Sequence, residues 1–184
     1  MKAFRFLPFL ILPLLAGCSP ESKTTTGVEA PASSAADQLQ VALLTPGPIS
    51  DAGWNALASQ GLQAIAKDLG AKVDSQEAKG TQIRDAFRAY AQKDYDLVFG
   101  HGYEYNEPAS EVAKDFPGTV FVTSSGGKTA ANLGAFRFAL EEGFYLSGMM
   151  AASMSKSGKV GWVALGNIPS IDSTLAAFEA GAKA

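Results

Sequence analysis

Short apolar runs alternate with stretches of helical periodicity along the chain after about residue 38. Apolar runs of this length are typical of strands that are buried on both faces of a parallel sheet. The chain therefore has the pattern of an α/β protein, with several strands in one sheet. The runs predict strands at QVALLT (40–45), AKVDSQEA (71–78), YDLVFG (95–100), TVFVTS (119–124) and NLGAFRF (132–138).

Three helices are predicted between these strands. The first has apolar residues at helical spacing and is followed by Gly70, the residue type most common just after a helix. The second covers 81–93, and the third runs from about Glu104 to Phe116, before a Pro-Gly pair. The order β-α-β-α-β-α-β predicts an open, mostly parallel sheet with helices on both faces and right-handed crossovers. The apolar positions of the first helix are Ala58, Leu62, Ile65 and Leu69.

The last third of the chain predicts one more helix and the start of a new β-α unit. EEGFYLSGMMAASMSK (141–156) is strongly apolar, and charged residues bound it too closely for a membrane span, so we interpret it as a buried core helix. KVGWVAL (159–165) predicts a strand, and 170–184 predicts a helix. This unit is typical of the opening of a second lobe, and we expect the chain to be a truncated form.

The first segment, 1–18, predicts export. Lys2 and Arg5 precede an apolar run that ends in Leu-Ala-Gly-Cys, which is the pattern of a secretory signal with a lipobox. Cys18 is the only cysteine, so an internal disulfide is excluded and lipidation of its thiol explains its presence. An ordinary signal peptide with an incidental cysteine is the alternative. Lipidation would place the protein on the extracytoplasmic side of a membrane.

Composition limits the remaining possibilities. Residues 19–37 are rich in Ser, Thr, Ala and Pro, which predicts a flexible tether rather than a folded cap. The net charge is −3 and the basic residues are scattered, which argues against a nucleic-acid partner. A single histidine, His101, cannot supply a histidine-based metal cluster. No G-x-S-x-G or G-x-G-x-x-G motif accompanies it, so we expect no enzyme, no metal and no cofactor.

Polar and aromatic residues follow the first strand. Asp51, Trp54 and Asn55 lie where the strand passes into a helix, and ligands of open α/β sheets bind beyond the carboxyl ends of the strands. A flat aromatic surface beside a carboxylate and an amide suits a heterocycle with hydrogen-bond donors. Two plainer interpretations remain open: Ser50 or Asp51 caps the helix, and Trp54 packs against the sheet.

Two later loops and one helix start add candidates. Gly102 and Tyr103 follow the third strand, where glycine lets a backbone approach a ligand closely. Ser124 ends the fourth strand in SSGGK, which lacks the spacing of a phosphate-binding P-loop and could be a plain turn. Glu142 lies at the start of the apolar helix, where the helix dipole favours a carboxylate and where capping alone could explain it.

Four ordered blocks carry a specific resemblance. Together with the lipobox, they resemble the basic membrane protein family of purine-nucleoside-receptor-like lipoproteins, which serve as substrate-binding components of ABC importers. The similarity runs from about Val41 to Ala184. The blocks are ISDAGWNALASQGLQAI, YDLVFGHGYEYNEPASEVAKDFP, LEEGFYLSGMMAASMSKSGKVGWVAL, and NIPSI followed by AFEAGAKA.

The resemblance implies a type I periplasmic-binding-protein-like fold of two lobes with the ligand in the cleft between them. It implies an N-terminal lobe over 38–138, a crossover or core helix over 139–158, and the start of a second lobe over 159–184. It also implies that the aromatic residue stacks on a nucleoside base while Asp51 and Asn55 hydrogen-bond to the ligand. Trp54 stands where the family commonly has phenylalanine. Around Ser124 this sequence has hydroxyl-bearing residues and glycines where the family commonly has an acidic residue.

The leading hypothesis is therefore a lipid-anchored substrate-binding protein that delivers a nucleoside or similar heterocycle to ABC permease subunits. We expect a monomer that captures its ligand by hinge closure. An extracytoplasmic sensor on the same fold is the alternative, and a secreted α/β enzyme is a third hypothesis that lacks a supporting motif. The predicted ligand-binding residues are Asp51, Trp54, Asn55, Gly102, Tyr103, Ser124 and Glu142.

Overall fold

The computed structural model describes residues 38–164 and 168–184. The predicted signal peptide over 1–18, the lipidation of Cys18 and the tether over 19–37 lie outside the described residues. Within the described ranges, every helix is too short or too polar to cross a membrane.

Five parallel strands form one sheet in the order β2-β1-β3-β4-β5, which confirms the predicted fold class. β1 pairs with the edge strand β2 on one side and with the central strand β3 on the other. All five predicted strands are present, and each is trimmed at one end or both except β1. Their bounds are β1 Gln40–Thr45, β2 Lys72–Glu77, β3 Leu97–Gly100, β4 Val120–Ser124 and β5 Leu133–Phe136.

Helices cover both faces of the sheet. On one face, α1 (Trp54–Leu69) packs through Leu62 against Val41 and Leu43. On the other face lies the larger core, formed by α2 (Gln82–Ala91) and α3 (Asn106–Val112) packed on the sheet. Alternating β1 residues serve the two faces, because successive side chains of a strand point in opposite directions.

The third predicted helix differs in detail from the structure. It opens with a 3₁₀ turn, Tyr103–Tyr105, and α3 itself ends at Val112, four residues before the predicted end. Thr119 donates its hydroxyl to the Tyr95 carbonyl oxygen at 2.9 Å, and Asn132 donates to the carbonyl oxygens of the 113–119 turn. These bonds satisfy the backbone of the turn that leads into β4.

The helices α4 (Leu140–Met154) and α5 (Pro169–Lys183) pack against each other at very short range. The approach depends on two glycines: a Cβ at Gly148 would overlap the Phe178 carbonyl oxygen, and a Cβ at Gly181 would overlap the Tyr145 carbonyl oxygen. Trp162 contributes to the same cluster through edge contacts with Phe144 and a tilted contact with Phe178.

The prediction of a buried core helix over 141–156 is wrong for the described residues. Gly148 is the only buried residue of α4, while Leu146, Met150 and Met154 are exposed. An apolar sequence predicts that a helix can be buried, but burial also needs a partner on each apolar side. Among the described residues, α5 is the principal partner, so the opposite side of α4 faces solvent.

The predicted strand over 159–165 is also not formed in its described part. Residues 159–164 have no strand conformation, and the Val163 side chain is 98% exposed. A strand is stabilised by hydrogen bonds to a neighbour, and no described strand pairs with this segment. The helix predicted over 170–184 is confirmed as α5. The division into two lobes stays a prediction.

Candidate ligand-binding site

The Asp51 side chain caps the start of α1 from two residues before the N-cap residue, Gly53. One carboxylate oxygen accepts hydrogen bonds from the backbone N–H groups of Gly53 and Ala56, both at 2.9 Å. The other accepts from the Asn55 N–H, also at 2.9 Å. These groups belong to the first turn of the helix, whose N–H groups have no partner within the helix. The structure therefore agrees with the interpretation that Asp51 caps α1. The ligand-binding role of Asp51 stays a prediction.

Replacing Asp51 with alanine is expected to lower thermal stability at neutral pH. The N–H groups of Asn55, Gly53 and Ala56 hold the pKa of the Asp51 carboxyl below its usual value. A carboxyl with a depressed folded pKa stabilises the fold above its unfolded pKa, and that stability is lost as the pH falls through the folded pKa. The difference in melting temperature between the wild type and Asp51→Ala should therefore shrink on acidification. A difference that does not change with pH would contradict the capping assignment.

Trp54 starts α1 and lies against two other rings. The His101 ring stacks on the indole, with centroids 4.2 Å apart and planes 24° from parallel. Phe138 meets the same indole edge to face at 5.3 Å. The Trp54 side chain nevertheless stays 38% exposed. Trp54 thus has one face supported by protein and further surface open to a ligand.

His101 is buried beneath Trp54 at the end of β3. Its backbone N–H donates to the Leu44 carbonyl oxygen at 2.9 Å, which fixes the residue beside the end of β1. Its Nε2 lies 3.0 Å from the Trp54 carbonyl oxygen. Burial lowers the pKa of the imidazole, while the bond to the Trp54 carbonyl and the charges of Glu104 and Asp51 act in the opposite direction. The neutral ring is therefore favoured at neutral pH.

The strand register places His101 next to Ser124. Gly100 pairs with Thr123, so the following residues of β3 and β4 stand side by side at the carboxyl edge, and Ser124 pairs in turn with Phe136. His101, Ser124 and Phe136 line one cavity of about 490 Å³ together with Trp54. The rest of its lining is apolar or backbone: Leu43, Leu57, Ala58, Gly61, Leu62, Ile65, Phe99, Gly100, Phe138 and Leu140.

Two buried side-chain oxygens near this edge have no hydrogen-bond partner among the described residues. One is the Oγ of Ser124, a residue that is 1% exposed, and the other is the Oδ1 of Asn55, which is 6% exposed. An unpartnered buried polar atom costs free energy, so such atoms are informative where they occur at a cavity. Ser124 lines the cavity at Trp54, whereas Asn55 lies beside the Gly47 loop.

Gly102 and Tyr103 lie on a different side of the strand edge. Gly102 is buried with a backbone φ of 155°, and a Cβ there would come within 2.5 Å of a Glu104 carboxylate oxygen. Tyr103 is partly exposed and lines a second cavity of about 410 Å³, which Lys128 and Arg137 also reach. Both cations are paired, Lys128 with Glu107 and Arg137 with Glu141.

The seven predicted residues are therefore not all brought together. Trp54 and Ser124 share one cavity, Tyr103 lines the other, and Asp51 and Asn55 lie at the start of α1. Glu142 is exposed in the first turn of α4 and lines neither cavity. Its inclusion with the others receives no support from the geometry.

The sequence interpretation missed two groups of residues. Phe136 ends β5 and Phe138 follows it, and their position at a strand end was the available signal. The second is Asn106, which lies in a stretch predicted to be helical and was therefore not selected as a candidate. Its amide nitrogen donates to Thr123 at 2.8 Å, and its oxygen accepts from the N–H groups of Gly127 and Lys128. Asn106 thus fixes the loop after β4, and its role depends on contacts that are distant in sequence.

Comparison with known proteins identifies the family to which the chain belongs. A family model described as ABC transporter substrate-binding protein, PnrA-like, matches residues 38–184. The chain belongs to this family. The predicted resemblance is confirmed, as is the fold of a type I periplasmic-binding-like α/β protein.

Relatives of the PnrA-like family differ in the ligands that their names give. The chain is 31% identical to a purine-binding protein of Brucella abortus, with 83% of this chain and 45% of that protein covered. It is 30% identical to a putative ABC transporter glucose-binding protein of Haloferax volcanii, with 73% and 35% covered. A solved ABC transporter solute-binding protein from Conexibacter woesei is 30% identical, with a TM-score of 0.54 over 62% of this chain and 40% of that one. The chain spans less than half the length of each of these three proteins.

Proposed function

We propose that the protein is the lipid-anchored, extracytoplasmic substrate-binding component of an ABC importer, and that it captures a nucleoside or similar heterocycle. The anchor in this proposal is Cys18, which lies outside the described residues. The partners are the small-molecule ligand and the permease subunits, and the protein acts as a monomer. Family membership supports the transport role, and the purine-binding relative supports the ligand class.

The observation that carries the ligand proposal is the aromatic cluster at Trp54. The indole is supported by His101, faces a cavity, and keeps more than a third of its surface exposed at the carboxyl edge of a parallel sheet. Nucleobases stack on such surfaces, and one stacked base contributes about 1–3 kcal/mol as measured by alanine substitution. The position of this exposed indole at the edge where open α/β sheets bind their ligands supports the proposal that Trp54 stacks on the base.

Capture in this proposal involves no chemical step. The ligand contacts both lobes of the whole protein and shifts the population toward a closed form, which the permease recognises. Membership in a family of substrate-binding proteins supports capture without turnover.

Trp54→Ala is expected to weaken nucleoside binding by about 10- to 100-fold, because the variant loses the stacking surface. The measurement is isothermal titration of the tether-free protein, from Gln38 to its natural C-terminus, against adenosine, guanosine, inosine, cytidine and riboflavin. Trp54→Phe should keep most of the affinity, since a smaller aromatic ring still stacks. Trp162→Phe, at the α4–α5 cluster away from the cavity, is the matched control and should bind like the wild type.

The outcomes separate the possibilities. Binding without turnover, lost in Trp54→Ala alone, supports the proposal and the stacking role together. Binding that survives Trp54→Ala contradicts the stacking role. If no compound of the panel binds, the nucleoside proposal is overturned, and a sensor for another small molecule becomes the better hypothesis.

A further inference from the structure

We infer that Asn106 is a positioning residue for ligand capture: its buried side-chain amide holds the loop over 125–128 in the conformation that binds the ligand. This inference rests on the proposed function and adds to it a residue that acts through its neighbours. It is carried by the hydrogen bonds of the amide, by the backbone of the loop, and by the place of the loop at the edge of both cavities.

The Asn106 side chain uses its whole hydrogen-bonding capacity within the protein. Its nitrogen donates to the Thr123 hydroxyl at 2.8 Å and to the Lys128 carbonyl oxygen at 3.0 Å. Its oxygen accepts from the N–H groups of Gly127 at 3.1 Å and Lys128 at 2.7 Å. A side-chain amide has two N–H donors and two acceptor lone pairs, so none of them is left for a ligand. Asn106 therefore acts on the loop and not by a hydrogen bond to the ligand.

The loop depends on this support because its own contacts are weak. Lys128 at its end is exposed, and the ion pair of Lys128 with Glu107 lies in solvent, where such pairs contribute little. Ser125 at its start has a backbone φ of 61°, in the left-handed region that a non-glycine residue keeps only where its surroundings impose it. The Ser125 N–H donates to the Phe136 carbonyl oxygen at 2.6 Å. Thus β5 holds the start of the loop, and Asn106 holds its end.

The loop borders both cavities at the carboxyl edge of the sheet. Ser124 lines the cavity at Trp54, and the next residue, Ser125, lines the second cavity together with residues 126–128. A shift of the loop therefore moves a wall of each cavity. Ordering a loose loop during binding costs free energy, whereas a loop that is already held in place adds no such cost. Asn106 thus strengthens capture by fixing the loop before the ligand arrives.

Gly126 gives an independent indication of the same contact. A Cβ at position 126 would overlap the side chain of Asn106. The loop therefore packs directly on the amide in addition to the hydrogen bonds. Gly126→Ala pushes the two apart and leaves the amide itself in place, so it tests the contact from the side of the loop.

The matched control is the amide of Asn132. It donates to the carbonyl oxygens of Ala113, Phe116 and Thr119, in the turn that leads into the opposite end of β4, and it lines neither cavity. Asn106→Ala and Asn132→Ala remove the same chemical group, and each should lower the melting temperature by several degrees because hydrogen bonds of a turn are lost. A difference in binding between them therefore does not follow from stability alone.

The test is isothermal titration of the tether-free protein, from Gln38 to its natural C-terminus, against the five compounds named above. It is run below the unfolding transition of every variant. Asn106→Ala and Gly126→Ala are expected to bind about tenfold more weakly than the wild type, because the loop must be ordered during binding. Asn132→Ala should bind like the wild type.

Amide hydrogen exchange followed by NMR reads the loop without a ligand. The N–H groups of Gly127 and Lys128 donate to Asn106, so they should exchange slowly in the wild type and in Asn132→Ala. In Asn106→Ala both should exchange at least about tenfold faster, while the amides of β4 keep their protection.

The outcomes separate this inference from the proposed function. Equal weakening of binding by Asn106→Ala and Asn132→Ala, wild-type affinity in Asn106→Ala, or unchanged exchange of the two loop amides would overturn the inference and leave the proposed function standing. If Asn106→Ala does not fold, the same comparisons with Gly126→Ala decide. If no compound of the panel binds the wild type, both the proposed function and this inference are overturned.

Discussion

Replacing Phe87 with alanine is expected to lower the free energy of unfolding by about 3–5 kcal/mol. Phe87 is completely buried in the larger core, where its ring meets Phe121 edge to face at 5.7 Å and Tyr105 at 6.1 Å. Truncation removes the apolar surface of a ring and leaves a cavity that neighbouring rings cannot fill, since they are held in strands and turns. The measurement is urea unfolding followed by circular dichroism.

The exposed Leu69→Ala is the control for Phe87→Ala. Leu69 ends α1 and is mostly in solvent, so its truncation should change the free energy of unfolding by less than about 0.5 kcal/mol. Phe87 also lies under Gly100, the residue before His101, so its loss should reach the candidate site as well. A cost below about 1 kcal/mol for Phe87→Ala would contradict the core described above.

Gly148→Ala is expected to destabilise the α4–α5 pair by about 3 kcal/mol, at the upper end of the usual cost of overpacking. The added methyl group would overlap the Phe178 carbonyl oxygen of α5, which is backbone and cannot move aside by rotating a side chain. The helices must separate or shift, and the cluster of Trp162 with Phe144 and Phe178 is disturbed with them. Thermal unfolding monitored by the fluorescence of Trp162 in a Trp54→Phe background reports on this pair directly.

Gly143→Ala is the matched control in the same helix. No atom lies within 4 Å of a Cβ added at Gly143, and alanine is the better helix former by about 0.5–1 kcal/mol. The two substitutions are chemically identical, so any difference between them reflects their surroundings. Gly148→Ala should lower stability, and Gly143→Ala should raise it. Equal effects from both would show that Gly148 is not a point of close contact between the helices.

Local pattern was sufficient to predict the sheet. The five strands and first two helices follow from apolar runs, helical spacing and the glycine after Leu69, which adopts the left-handed conformation expected of a C-cap. The failures concern α4 and residues 159–164, where the sequence is apolar but no described partner covers it. Burial and strand pairing are properties of two elements, so one segment alone cannot predict them.

The candidate site, like the fold, could be predicted only in part from the sequence. Asp51, Trp54 and Ser124 could be placed at strand ends because the fold class directs strand ends to one edge. The stack of Trp54 on His101 could not be predicted from the sequence, because it depends on the register of three strands, in which Leu44 pairs with Gly100 and Gly100 with Thr123. Nor could the sequence decide between capping and ligand binding for Asp51, because both uses require a carboxylate at the start of a helix.

The segregation of the two hydrophobic clusters from the strand-end loops has a consequence for laboratory evolution. The larger cluster lies on the α2–α3 face of the sheet, and the residues after β1 and β4 contribute nothing to it. Libraries that vary residues 48–54 and 125–129 would therefore sample new ligand preferences at little cost in folding. Asp51 and Gly126 are exceptions, since Asp51 caps α1 and a side chain at position 126 would collide with Asn106.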